Sequence, residues 1–364
     1  MAPVVRALQS SKSIESLVCV TAQHREMLDQ VLEVFHIRPD VDLNLMQPNQ
    51  SLADLTAHIF TNLDPILDQI KPDWILVQGD TTTVMASALL GYYHHILVGH
   101  VEAGLRTGDK WQPFPEEINR RVAGVAADLH FAPTEYNRQA LLREGVPDWR
   151  IVITGNTVVD ALQWIRQQPM PEQTLHLLKT LGIRSGEREL VLITAHRREN
   201  FGQPLIDICL ALKQLAETYP DRLQLVYPVH MNPSVQEPVY RLLSGIPNIT
   251  LLPPLDYLPM VHLLQNAKIV LTDSGGIQEE ATSLKIPTLV LRNVTERPEG
   301  VEAGFLRLVG TDTNNIVQQA RQLLEDSSVY EEISGRPNPF GDGHAAEKIA
   351  QALLEFSQQP VQFL

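Results

Sequence analysis

Short apolar runs alternate with segments whose apolar residues recur every three or four positions along most of the chain. Leu17–Ala22, Trp74–Val77, Ile96–Val98, Leu129–Ala132 and Ile151–Thr154 make a first series of strand-like runs. Leu190–Thr194, Leu223–Tyr227, Ile249–Leu252, Lys268–Thr272 and Pro287–Leu291 make a second. Helical spacing fills the intervals, with helices predicted at Pro3–Gln9, from Gln23 to about Phe35, over Ser51–Ile70 and at His344–Phe356. Apolar strands separated by helices predict a parallel sheet covered on both faces. The polar, proline-bearing stretch Arg166–Glu189 lacks a strand signal and predicts the boundary between two such units. The expected fold is α/β, with two doubly wound domains facing a cleft. They span residues 1–165 and 185–342, and a helix over 343–364 crosses back onto the first.

In doubly wound sheets the functional loops follow the carboxyl ends of strands. The stretch Asp273-Ser274-Gly275-Gly276-Ile277-Gln278-Glu279-Glu280 directly follows such a strand and opens a helix. Unpaired N–H groups at a helix start make a phosphate site, and glycines permit close approach. Glu280, one turn in, is placed to accept hydrogen bonds from a ribose. Arg297 follows the next strand and would put a guanidinium near the same phosphates; the alternative is a surface ion pair with Glu296 or Glu299, worth little. Asp80 reads equally as a helix cap or as a functional carboxylate. Glu102 lies between a strand end and Gly104, and Glu116 follows Pro113-Phe114-Pro115. Glu117 reads as favourable charge in a helix's first turn. Carboxylates sharing one site raise each other's pKa and can then exchange protons near neutrality. His196 is a phosphate donor or acid if Arg197 and Arg198 mark an anion site, and a structural histidine otherwise.

Composition narrows the class of partner. With 364 residues, two cores are expected. A formal net charge of −14 argues against nucleic acid, which requires a basic face. Two isolated cysteines, Cys19 and Cys209, predict a reducing compartment and no disulfide framework. No apolar run reaches the ~18 residues of a membrane span and no signal-peptide pattern opens the chain, so a cytoplasmic protein with no membrane partner is expected. No zinc-like ligand spacing, dinucleotide glycine pattern, Walker loop or nucleophile elbow occurs, so neither a metal nor a redox cofactor is predicted.

At these residues the chain resembles the non-hydrolysing UDP-N-acetylglucosamine 2-epimerases. The matching text includes Val20–Met27, Gly79–Thr83, Gly99–Asp109, Pro115–Glu117, Ile153–Thr157, His196–Glu199, Tyr227–His230, Asp273–Glu280 and Glu296–Pro298. The resemblance implies two Rossmann-like domains of the glycosyltransferase-B type, a homodimer, and no cofactor. It implies interconversion of UDP-GlcNAc and UDP-ManNAc by elimination of UDP to 2-acetamidoglucal and re-addition. It further implies Asp80, Glu102 and Glu116 as the acid–base set, with His196 contacting phosphate or assisting departure. Ser274, Gly275, Gly276 and Arg297 would hold the diphosphate, Glu280 the ribose, and Leu255 and Met260 the uracil. Gln23, His24, Arg197 and His230 match positions that bind a second, activating UDP-GlcNAc in some members. The rival readings are a UDP-sugar glycosyltransferase, a hydrolysing epimerase and a non-catalytic UDP-sugar-binding homologue. One departure stands out: members open with a strand and a Gly-Thr-Arg-Pro-Glu loop before the Met-Ala-Pro helix. The expectation is a true start upstream of Met1, the alternative an impaired product. In the expected sheet that strand is central, so its two neighbours would each lack a ladder partner.

Overall fold

The structure, a computed structural model, describes residues 1–21, 25–47 and 50–358. The chain divides into one unit of Met1–Ala161 with Gly341–Leu364 and a second of Leu162–Phe340. Their elements alternate as expected. The first series is α1 (Ala2–Ser10), β1 (Cys19–Val20), α2 (Arg25–Val34), β2 (Val41–Asp42), α3 (Leu52–Ile70), β3 (Trp74–Gln78), α4 (Thr82–Tyr93), β4 (Leu97–Val101), α5 (Glu116–Ala126), β5 (Leu129–Ala132), α6 (Glu135–Arg143), β6 (Ile151–Ile153) and α7 (Thr157–Arg166). The second is α8 (Glu172–Thr180), β7 (Glu189–Thr194), α9 (Gln203–Thr218), β8 (Leu223–Pro228), α10 (Pro233–Leu243), β9 (Ile249–Leu252), α11 (Tyr257–Gln265), β10 (Ala267–Thr272), α12 (Gly275–Ser283), β11 (Thr288–Val290), α13 (Pro298–Glu302), β12 (Leu306–Leu308), α14 (Thr313–Glu325) and α15 (Ser327–Ser334). The closing helix α16 (Ala345–Gln358) packs beside α1, within the first unit.

The first unit contains a parallel sheet of order β3-β4-β5-β6 and a separate parallel pair, β1-β2. Among the described residues no strand joins β1 to β3, so each carries one unpaired edge. Beside β3 lies a cavity of about 750 Å³ whose walls include Leu17, Trp74, Leu76, Trp149 and Phe356. The run Leu17–Ala22, expected as a buried strand, pairs among its described residues at Cys19 and Val20, and Leu17 and Cys19 are exposed. An apolar run with a partner on one side only cannot be covered as a central strand is. Helix α3 shows the opposite case. Ser51 and Asp54 form a capping box, and Leu55, Ile59, Leu63 and Leu67 bury one stripe.

The second unit has a six-stranded parallel sheet of order β12-β11-β10-β7-β8-β9. Successive strands run outward from β7 through β8 to β9; the chain then returns to the other flank of β7 with β10. The strand order therefore reverses between β7 and β10, where doubly wound sheets open a binding crevice. Thr194 and Thr272 end these strands in register, and their hydroxyls meet at 2.5 Å. The polar stretch expected as a linker contains helix α8, whose Leu178 is fully buried against Leu190, Leu192 and Val226.

Candidate active site

In the second unit the loops leaving β7 and β10 are tied by one buried carboxylate. Asp273 Oδ2 accepts from the backbone N–H groups of His196 and Arg197, both at 2.8 Å, and from the Asn200 amide at 3.0 Å. Asp273 is thus a staple that fixes the start of α12 against the histidine loop. Ser274 caps α12 by position, but its hydroxyl makes no cap bond. The first N–H groups of the helix have no intrahelical acceptors.

The two glycines that follow play different parts. A Cβ on Gly275 would lie 2.8 Å from Arg297 Nη1, so the guanidinium packs directly on the turn. A Cβ on Gly276 would meet nothing within 4 Å. The protein's own packing does not require that glycine, and its open side would permit close approach of a ligand. Arg297 is only 9% exposed and donates from Nε to Glu279 (2.7 Å) and from Nη1 to Glu296 (2.9 Å). The alternative of a surface ion pair is corrected: Glu296 is one partner, but the guanidinium is buried and braced from within α12.

Glu280 is buried, its Oε2 lacks a hydrogen bond of ordinary geometry, and the Tyr257 hydroxyl is the donor group that acts on its carboxyl. Burial pushes the Glu280 carboxyl up to about 7, the nearby Tyr257 hydroxyl partly offsets this, and Glu279 adds to the rise. Leu255 and Met260 pack with Ile277 and Ala281 in one apolar cluster on the same part of the unit. His196 stacks on His230, with ring centroids 5.3 Å apart, and its Nδ1 lies 3.7 Å from Asp273 Oδ1. Burial lowers the His196 pKa, and the Asp273 carboxylate works against that. His230 Nδ1 accepts from the Asn232 N–H, and the Arg197 Nε is buried without a partner. Gln23 and His24 lie outside the described residues.

In the first unit β3 and β4 are paired with Gln78 opposite Val101, so the segments after them are neighbours. Glu102 holds a positive φ of 62°, a region that strongly disfavours a side chain of this kind. Its Oε2 accepts from Gln78 Nε2 at 3.3 Å and would lie 3.7 Å from a Cβ on Gly79. The helix cap of α4 is Thr81, not Asp80. Asp80 instead pairs with Arg120 of α5. Glu116 opens α5, and its Oε2 is buried without a partner.

The chain matches the family model described as UDP-N-acetylglucosamine 2-epimerase over residues 6–354. It belongs to that family. It is 55% identical to "Probable UDP-N-acetylglucosamine 2-epimerase" of Ralstonia nicotianae over 358 residues, covering 98% of this chain and 95% of the relative. Against the UDP-N-acetylglucosamine 2-epimerase of Yersinia pestis the identity is 53%, over 97% and 94% of the two chains. It is also similar to the crystal structure of the Neisseria meningitidis UDP-GlcNAc 2-epimerase bound to UDP-GlcNAc. There the TM-score is 0.87 and the identity 46%, covering 98% of this chain and 96% of that one.

Within this family member the structure groups the sequence-predicted residues by unit. Asp80 and Glu102 follow neighbouring strands, and Glu116 is tied to them through α5. His196, Arg197, Ser274, Gly275, Gly276 and Arg297 gather at the β7–β10 reversal. Glu280, Leu255 and Met260 flank the same helix. Several residues that brace these groups escaped sequence reasoning. Glu117 does stand in the first turn of α5, but it is also fully buried and accepts from Thr107 N, Arg120 and Arg121, each at 3.2 Å. The i, i+3, i+4 spacing of Glu117, Arg120 and Arg121 was the available signal. His100 donates from Nε2 to the Gly79 carbonyl at 2.7 Å, and burial lowers its pKa to about 4, so it is a neutral pin on the Asp80 loop. Neither His100 nor Tyr257 carries a local pattern that separates it from core residues.

Proposed function

We propose that the chain catalyses reversible epimerisation at C2 of UDP-N-acetylglucosamine to UDP-N-acetylmannosamine. The observation that carries this reading is the α12 turn: helix N–H groups, a buried guanidinium on Gly275 and an open approach at Gly276. Such a turn binds a diphosphate and stabilises it as a leaving group. Ser274, Gly275, Gly276 and Arg297 hold the diphosphate, Glu280 the ribose hydroxyls, and Leu255 and Met260 the base, making the second unit the UDP-binding one.

The C2–H bond is weakly acidic, so departure of UDP leads. The C1–O electron pair leaves with the phosphate, positive charge builds at C1, and a carboxylate takes the C2 proton as its C–H pair becomes the C1=C2 bond. The product is 2-acetamidoglucal, and re-addition of UDP with protonation on the other face inverts C2. Asp80, Glu102 and Glu116 supply the carboxylates and His196 assists at the phosphate. The chemistry needs no metal or redox cofactor. Arg197 and His230, with Gln23 and His24, bind a second, activating UDP-GlcNAc. The protein acts as a cytoplasmic homodimer. Among the described residues no helix is long and apolar enough to cross a membrane.

The test is incubation with UDP-GlcNAc in D2O. Formation of UDP-ManNAc with deuterium at C2 supports the proposal. Release of free ManNAc indicates a hydrolysing enzyme, and UDP binding without exchange indicates a non-catalytic homologue.

A further inference from the structure

The ion pair that holds Asp80 is built unlike an ordinary surface bridge. The Arg120 side chain is only 4% exposed and the Asp80 side chain 27%, so the guanidinium reaches outward from the interior to the carboxylate. Behind it, Arg120 Nη1 donates to Glu117, which is itself fully buried and held by the Thr107 N–H and by Arg121. Arg120 therefore has a fixed anchor and cannot swing away from Asp80. The hydrogen bond from Arg120 falls on Asp80 Oδ2 rather than on Oδ1. Glu116 lies one turn before Arg120 on α5, so one helix carries both a candidate proton carrier and the brace of another carboxylate.

We propose that Arg120, braced by Glu117, is the positioning residue for Asp80, aiming Oδ1 as a fixed negative charge at the developing positive charge of the sugar. Proton exchange then falls to Glu102 and Glu116. This rests on the epimerase reading above. A guanidinium keeps its proton and presents its donors in a rigid fork, so it fixes the direction of a carboxylate as a lysine would not. Fixed negative charge beside a cation-like centre acts in the transition state more than in the ground state, so its loss falls on turnover.

The experiment compares Arg120→Met, Arg120→Lys, Asp80→Asn and the double variant Asp80→Asn/Arg120→Met. UDP-GlcNAc epimerisation, UDP affinity by calorimetry and thermal melting are measured for each. The expected result for R120M is a kcat lower by about 100-fold, with KM and UDP affinity within about twofold. R120K should recover about tenfold of that loss, and the double variant should be no slower than Asp80→Asn alone, because Arg120 acts through Asp80. Additive losses in the double variant, or a fall in KM-independent turnover matched by a lowered melting temperature in R120K as well, would show a structural role and overturn the proposal. If R120M does not fold, Glu117→Gln tests the brace instead: a roughly tenfold lower kcat that vanishes in the Asp80→Asn background supports it, and an unchanged kcat overturns it. A wild-type protein that forms no UDP-ManNAc overturns the epimerase reading and this inference together; an active wild type with the wrong variant pattern overturns the inference alone.

Discussion

Glu280 makes the stability of the second unit depend on pH in a direction opposite to that of most carboxylates. Its folded pKa is pushed up to about 7 from the ordinary value of 4.5, with burial as the main cause and the neighbouring Glu279 adding to it. The folded state therefore holds a proton over a range in which the unfolded chain has released it. The contribution to stability is fully present below pH 4.5 and is lost as pH rises through 7. A displacement of this size corresponds to about 3 kcal/mol across the window, at 1.36 kcal/mol per unit. Replacing Glu280 by Gln removes the titration and keeps the shape. The assay is urea denaturation of both proteins without ligand, from pH 4 to pH 8. The difference between the two cancels the other groups that titrate in the same range. E280Q should gain on the wild type by about 3 kcal/mol between the acid and alkaline ends. A difference that stays flat with pH, or one that favours the wild type as pH rises, refutes the burial argument.

Other consequences are equally open to measurement. Gly276→Val should leave the melting temperature unchanged, because its side chain would enter empty space in the free protein. The same change should weaken UDP binding at least tenfold by calorimetry, and an unchanged affinity would remove the close-approach argument. Asp273→Ala strips the acceptor from two backbone N–H groups and the Asn200 amide. It should cost about 3 kcal/mol or more by chemical denaturation, since buried donors lose a charged acceptor. Tyr257→Phe removes a hydroxyl that works against the Glu280 shift. The midpoint of the Glu280 titration, followed by NMR of labelled glutamate, should then move above 7.

Much of this protein was legible in one dimension because the relevant physics is local. Apolar runs such as Leu190–Thr194 and Leu223–Tyr227 become parallel strands since both their faces must be covered. The turn Asp273–Gly276 announces itself because the strand, glycines and helix start are contiguous, and the helix N–H groups belong to that segment alone. Ser51–Ile70 is likewise a helix by its own cap and stripe.

What required the tertiary structure concerns partners distant in sequence. That Asp80 pairs with Arg120, 40 positions away, depends on where α5 packs, and a charged, half-buried helix gives no apolar stripe to reveal it. Whether Glu117 is solvated or fully buried could not follow from its place in a first turn, because burial is decided by what lies opposite. Asp273 reads as part of a phosphate loop in sequence and proves to be the staple between two loops, 77 residues from His196. The edges of β1 and β3 that are unpaired among the described residues make the same point, since a ladder depends on a partner strand elsewhere in the chain. Periodicity and turn chemistry are properties of a segment and were written in the sequence; burial, ion pairing and the proton affinity of Glu280 are properties of surroundings, and only the folded chain supplies those.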